Sequence, residues 1–253
     1  MVARIIYDIG ANDGADTGFY LAKGFKVIAV EADPALCDKI GKQYQRNLND
    51  GRLKVVNIGV SDKHDTLTFF QNEFSEWSSF QVKSKATTQL SHNQIAVPTA
   101  PLREIIENFG TPYYVKIDIE GFELKAISSL SDKSPLPVYL SFEVNHDWVQ
   151  ILDFLELLGF DGFQIVRQGK GFLSDPPNPP REGDLWPKPF TNNQSGCFGL
   201  ELSDAWLDRA SIDAAVVREA AEAGVRLSRG ALRGWHDIHA RRGGATWSLP
   251  PEQ

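Results

Sequence analysis

Cysteine is scarce in this chain: 253 residues contain Cys37 and Cys197 and no other. Their wide separation, without the paired spacing of a metal site, excludes a disulfide framework or cysteine-rich zinc module and leads us to expect reduced thiols in a cytoplasmic protein. Long apolar runs are also missing. None approaches the ~18 residues of a membrane span, and the first residues read as a core strand instead of a basic segment leading into an apolar one. A basic excess is absent as well, since 26 Lys and Arg stand against 33 Asp and Glu for a formal charge of −7. That balance disfavours a general nucleic-acid binder. There is no internal repeat, and the length suits one substantial core with elaborations.

Against these absences, Asp8-Ile9-Gly10-Ala11-Asn12-Asp13-Gly14 stands out directly after an apolar run. A strand that ends in a glycine turn and opens a helix presents free backbone N–H groups, the usual grip on a nucleoside cofactor. Here the turn is acidic. Asp8 and Asp13 would oppose a pyrophosphate at short range, and the third glycine of the dinucleotide spacing is missing. A ligand cationic at that point fits better. S-adenosylmethionine carries an ammonium and a sulfonium and no phosphate.

Strand-like and helix-like segments then alternate. Strands are expected at 3–8, 26–31, 53–60, 113–118, 137–144 and 161–166, with helices at 14–23, 34–45, 101–109, 121–130 and 147–158. Residues 66–71 read as an exposed hairpin strand, and residues 73–88 lose periodicity. This pattern predicts an α/β fold, a mostly parallel sheet with helices on both faces. Beyond Val166 the pattern changes to a proline-rich irregular stretch, 168–196, which is expected to overhang the ligand cleft with 73–88. A last antiparallel strand is expected at 197–202 and a helix at 213–223. The arginine-bearing tail, including Trp235-His236-Asp237-Ile238-His239, is suited to an acidic or phosphorylated acceptor, but reads first as a solvated helix face or a dimer contact. The expected division is therefore a cofactor-binding core over 1–166, completed by 167–253.

Four blocks carry a resemblance to a known family: Tyr7–Gly14, Val30-Glu31-Ala32-Asp33-Pro34, Ile58-Gly59-Val60-Ser61-Asp62, and Val115-Lys116-Ile117-Asp118-Ile119-Glu120-Gly121-Phe122-Glu123. Together they resemble the FkbM-type family of S-adenosylmethionine-dependent methyltransferases over roughly residues 3 to 166. The resemblance implies the Rossmann-like class I methyltransferase fold, with a seven-stranded sheet whose last strand is antiparallel. It also implies methyl transfer to a hydroxyl oxygen on a sugar, glycan or natural product.

Individual roles follow. Gly10 and Gly14 are expected to let the backbone pass close to the methionine part of the cofactor. Asp8 is expected to attract its ammonium directly or through water, and Asn12 to shape the turn. Glu31, ending the second strand, offers two oxygens to the ribose hydroxyls. Ser61 and Asp62 fall where the resemblance places the adenine pocket. Asp118 is assigned beside the methyl donor, Lys116 as its buried structural partner, and Glu120 at the following helix start, where the dipole stabilises it. Removing a hydroxyl proton requires one base, and Glu143 and His146 are the candidates. Asp118, Glu143 and His146 are the set that would hold Mg²⁺, but no spacing demands a metal and none is expected. The loop aromatics Phe74, Trp77, Phe80, Trp186 and Phe190 either face the acceptor or anchor their loops. A non-catalytic nucleoside-binding protein and a nicotinamide-dependent reductase are the competing functions, and the expected partners are a hydroxyl-bearing acceptor and, from the tail, a second copy of the chain.

Overall fold

The computed structural model describes residues 4–71, 78–80, 93–169, 172–222 and 235–243. Apolar, β-branched segments form β1 (Ile5–Ile9), β2 (Lys26–Glu31), β3 (Leu53–Asn57), β7 (Tyr114–Ile117), β8 (Tyr139–Glu143), β9 (Gly162–Arg167) and β10 (His236–Arg241). They make one sheet in the order β3-β2-β1-β7-β8-β10-β9, in which β10 alone runs antiparallel to its neighbours. A second sheet, β4-β6-β5, joins β4 (Gly59–Ser61), β5 (Asp65–Gln71) and β6 (Asn93–Pro101).

Helices cover both faces. Residues of α4 (Leu102–Phe109), α5 (Glu123–Ser128), α6 (Trp148–Leu157) and α7 (Arg209–Glu222) bury Ile106, Ile127, Ile151 and Val216 against Val115, Ile117, Ile238 and Ala240. On the opposite face, α1 (Ala15–Ala22) and α2 (Pro34–Gln43) bury Phe19, Tyr20 and Ile40 against Val27, Ala29 and Tyr114. A short α3 (Gln45–Asn49) follows α2. The strand order reverses between β1 and β7, which opens a crevice at their carboxyl ends, the usual ligand position in open α/β sheets. Among the described residues no helix is long and apolar enough to cross a membrane.

Three expectations are corrected. The strand expected over 53–60 breaks at Ile58, where Asn57 Nδ2 donates to the carbonyls of Glu31 and Ala32 at 2.9 and 3.0 Å and ties off the ladder. Residues 59–61 then pair with β6, a strand masked in the sequence by Pro98 and Pro101. Both prolines lie where β6 has a partner on one side only, which is where a strand tolerates a missing N–H.

The antiparallel strand expected at 197–202 is instead a loop with a 3₁₀ turn, Gly199–Glu201. Phe198 stacks on Tyr114 at 4.8 Å and packs edge-on to Tyr20 and Phe25, so aromatic burial fixes this segment beneath α1. The antiparallel strand is β10, from the stretch expected to be solvated or to contact a second copy. Its polar residues conceal the strand, yet His236, Asp237 and His239 are each about 2% exposed.

The irregular stretch is likewise anchored more than it overhangs. Trp186 and Phe190 pack edge-on to Phe19 at 5.3 and 5.1 Å. Lys23 and Glu201 form a fully buried ion pair of 2.7 Å across it. Phe74 and Trp77 lie outside the described residues.

Candidate active site

Two adjoining cavities occupy the crevice and share Gly10, Asn12, Asp118 and Glu120. The first runs from Glu31 past Ile58, Gly59 and Val60 to Phe69 and Phe80. The second, about 440 Å³, is lined by Asp13, Asp16, Lys116, Asp118, Glu120, Glu143, Asn192, Asn193 and Trp235, among others.

Glycine is required at position 10 for a reason other than the ligand. With φ at +80°, a Cβ there would overlap the carbonyl oxygen of Asp118 on the neighbouring strand end. Gly14, at φ +82°, caps α1 and faces Ile40 and Tyr44 of the neighbouring helix and its C-cap, outside both cavity linings. Packing between α1 and α2 is therefore enough to require a glycine at this position. Asn12 and Glu120, at φ +47° and +56°, are the non-glycine residues with positive φ among the described residues, and both face the cavities. Strained backbone of this kind concentrates at functional sites.

Glu31 ends β2 with its carboxylate at the wall of the first cavity. Its Oε2 accepts the Asn12 N–H at 2.8 Å and Oε1 accepts the Asp33 N–H at 2.9 Å. Each oxygen keeps a lone pair for a ligand hydroxyl. Burial raises its pKa, and the two N–H groups oppose that shift. The buried Asn12 Oδ1 has no hydrogen-bond partner among the described residues. Ser61 and Asp62 bond each other at 3.0 Å, and neither lines a cavity, because the chain turns at Ile58 and presents Gly59 and Val60 instead.

Asp8 is fully buried beneath the cavity floor and lines neither cavity. Thr17 Oγ1 donates to it at 2.6 Å, and burial pushes its carboxyl up to about 6. Lys116 stands between three carboxylates, 3.3 Å from Asp16, 3.4 Å from Asp118 and 3.8 Å from Asp8. Burial works against its charge, but Asp118, Asp16 and Asp8 outweigh it and hold the ammonium well above its ordinary pKa. Lys116 is thus the expected buried partner of Asp118, and of two more acids that sequence reasoning did not join to it.

The helix-start role expected of Glu120 belongs to Glu123. That buried carboxylate accepts the N–H groups of Ile119 and Gly121 at 3.0–3.1 Å and the Asn145 amide, tying the turn after β7 to the end of β8. Glu120 instead turns into the cavity, where the carboxylate oxygens of Asp118, Glu120 and Glu143 lie within 4.8 Å of one another. Such oxygens are the ligand type hard divalent cations take, with Glu120 in the place expected of His146. His146 is 58% exposed in its side chain, pairs with Asp147 at 3.3 Å, and lines neither cavity. The peptide after β8 turns it outward. Asp237, which sequence reasoning missed, lies opposite Glu143 on β10. Burial, then the charge of Asp118, raises its carboxyl well above the usual range.

The model of the methyltransferase FkbM domain matches residues 8–165. No curated protein matches the chain. Among solved structures, a SAM-dependent methyltransferase from Archaeoglobus fulgidus is similar at 11% identity and TM-score 0.40, covering 95% of this chain and 86% of that one. Precorrin-6y C5,15-methyltransferase from Geobacter metallireducens is similar at 15% identity and TM-score 0.36, covering 66% and 71%. A predicted O-methyltransferase from Agrobacterium tumefaciens is similar at 15% identity and TM-score 0.34, covering 67% and 68%. With its glycine loop, its strand-end glutamate and the cavity acids Asp118, Glu120 and Glu143 all inside the matched region, the chain belongs to the FkbM methyltransferase family, whose methyl donor is S-adenosylmethionine.

Proposed function

We propose that this methyltransferase transfers the methyl group to a hydroxyl oxygen, and that the second cavity receives the acceptor. The observation that supports this most directly is the gathering of Asp118, Glu120 and Glu143 on one wall, beside the glycine loop. A hydroxyl must lose its proton as the new O–C bond forms, and a carboxylate at hydrogen-bond distance is the group to take it. S-adenosylmethionine supplies an electrophilic methyl on a sulfonium, and as the new O–C bond forms and the S–C bond breaks S-adenosylhomocysteine leaves as a neutral thioether, so no acid is needed on its side.

Glu31 is suited to the ribose hydroxyls, and the Asn12 Oδ1 and Asp118 carboxylate to the methionine end. Glu143, at the end of β8, is the base in this reading. His146 drops from that role because it faces away. Asp13 and Asp16 would repel a pyrophosphate from the loop, which counts against a nicotinamide reductase.

The test is transfer from radiolabelled methyl donor to a panel of hydroxyl, amine and carboxyl acceptors. An ether product, stable to mild base, is expected. Labelling confined to nitrogen or to base-labile esters would refute O-methylation while leaving the family intact.

A further inference from the structure

The glycine loop has its backbone donors committed within the protein. Gly10 and Ala11 both direct their N–H groups to the Val30 carbonyl, at 2.9 and 3.1 Å, Asn12 donates to Glu31, Gly14 to the Ala11 carbonyl at 2.9 Å, and Ala15 to Asp13 Oδ1 at 3.1 Å. These are the groups with which a loop and helix start ordinarily receive an anion. S-adenosylmethionine carries an α-carboxylate beside its ammonium, and Asp13 and Asp16, which line the second cavity at this turn, repel it. Lys116 is the one cation among the described residues of that cavity, and Asp8, Asp16 and Asp118 already surround it within 3.8 Å. The carboxylate therefore needs donors from elsewhere.

A remote part of the chain brings them. Gln194 Oε1 accepts the Thr191 N–H at 3.0 Å and its hydroxyl at 3.2 Å, which closes a turn over residues 191–194. That turn is pinned against the first turn of α1, because Gln194 Nε2 donates to the Ala15 carbonyl at 3.3 Å and Ser195 bonds the Asp16 carboxylate twice. At its middle stand Asn192 and Asn193, and both line the second cavity. Asn193 reaches over the glycine loop, with Nδ2 3.4 Å from Asp13 Oδ2. A primary amide carries two N–H donors, so this long contact leaves a second to offer.

We propose that Asn192 and Asn193 hold the α-carboxylate of the methyl donor, so that a turn outside the matched residues 8–165 completes the cofactor site. This goes beyond the hydroxyl-transfer reading and does not depend on which acceptor atom is methylated. Neutral amides suit the place. They bond a carboxylate without introducing a cation that Asp13 and Asp16 would capture, and their turn is fixed by bonds of its own before any ligand arrives.

The probes are S-adenosylhomocysteine and its decarboxylated analogue, which keeps the adenosine, the thioether and the amine. Calorimetry measures both on the full chain as wild type, as Asn193→Asp and as the double variant Asn192→Ala with Asn193→Ala. The ratio of the two affinities isolates the carboxylate, because a change in the fold or in the ammonium contact acts on both ligands. In the double variant S-adenosylhomocysteine should weaken by about tenfold or more, as expected for lost charge-assisted bonds, while the analogue stays within about twofold. Asn193→Asp keeps the shape, removes the donor and adds like charge, so it should shift the ratio in the same direction. Both side chains are exposed, and melting temperatures without ligand should match wild type. An unchanged ratio in the double variant overturns the proposal, since the carboxylate is then held elsewhere. Equal weakening of both ligands overturns it as well and leaves the asparagines to turn geometry alone. The hydroxyl-transfer reading survives either result. Failure of wild type to bind S-adenosylhomocysteine would strike the cofactor site as a whole, and the proposal with it.

Discussion

Ser195 donates both its backbone N–H and its hydroxyl to the carboxylate of Asp16, each at 2.9 Å, although 179 residues separate them. Asp16 also holds Lys116, so one carboxylate joins the first turn after the glycine loop, the strand that carries Asp118, and the loop whose Asn192 and Asn193 wall the second cavity.

Removing this junction should loosen the acceptor side first. Asp16→Ala leaves the Lys116 charge with one counter-ion fewer and the Ser195 N–H unpaired, and breaking a buried charged pair costs about 3–5 kcal/mol. Ser195→Ala, which keeps the backbone bond, should cost about 1.5–3 kcal/mol, the range for a bond to a charged group. Urea melts check both values. Calorimetry should show S-adenosylhomocysteine affinity within a few-fold of wild type for Ser195→Ala. Identical stability in both variants would show that the loop is held by its aromatics alone.

Glu31 is expected to matter to the cofactor and to the loop together. Glu31→Ala removes the acceptors of the Asn12 and Asp33 N–H groups as well as those offered to the ribose. Charge-assisted bonds are worth about 1.5–3 kcal/mol each, so affinity for S-adenosylhomocysteine should fall at least tenfold. Calorimetry on the folded variant is the check, and unchanged affinity would remove Glu31 from the cofactor site.

Gly10→Ala should fail as a fold before it fails as a binding site. A Cβ at this position meets the Asp118 carbonyl oxygen whether or not ligand is bound. Adding the positive φ, the cost should be more than about 2 kcal/mol, read as a lowered melting temperature without ligand. A wild-type melt combined with lost binding would restore the ligand-only explanation.

That contrast marks how far the sequence could be read. Periodicity and strand-ending acids placed β1, β2, β7, β8 and β9, and with them Gly10, Asn12, Glu31, Asp118 and Glu143 at one edge. Side chains whose meaning depends on remote partners were not legible. Nothing local distinguishes Asp16 from a helix-start acid until Ser195 arrives, and Glu123 replaced Glu120 because the positive φ at Glu120 turns that side chain into the cavity while Glu123 is buried against the N–H groups of the turn. β10 was hidden because three of its buried residues are His236, Asp237 and His239, the types that normally mark solvent. Polar burial of that kind is a tertiary fact.

Glu182 should make stability pH-dependent. Burial pushes its carboxyl up to about 7, despite the Tyr113 hydroxyl, the Leu200 N–H and Arg4. An acid raised above its unfolded pKa of about 4.3 binds its proton more tightly in the folded state, so this contribution is complete below that value and is lost as pH rises through about 7. Urea midpoints for wild type should therefore fall at this site between pH 5 and pH 7.5, and Glu182→Gln should flatten that part of the profile. An equal slope in the variant would mean that Arg4 keeps Glu182 ionised throughout.

The proton acceptor is the prediction on which the chemistry turns, and the structure separates its two candidates. Glu143 lies on the wall of the second cavity with Asp118 and Glu120, whereas His146 is exposed and paired with Asp147. Glu143→Gln keeps size and hydrogen bonding but removes basicity, so the rate should fall about 10²–10⁴-fold while S-adenosylhomocysteine affinity stays within a few-fold. His146→Asn should turn over at nearly the wild-type rate. Asp118→Asn should act differently again: it weakens the charge balance around Lys116, so cofactor affinity and rate should both decline. Near-normal turnover in Glu143→Gln across the pH range where the wild-type rate is proton-limited would remove Glu143 from the mechanism. Loss of activity on chelation, restored by Mg²⁺ and abolished together with metal binding in Glu120→Gln, would instead assign the three carboxylates to an ion, with the acceptor hydroxyl activated through it.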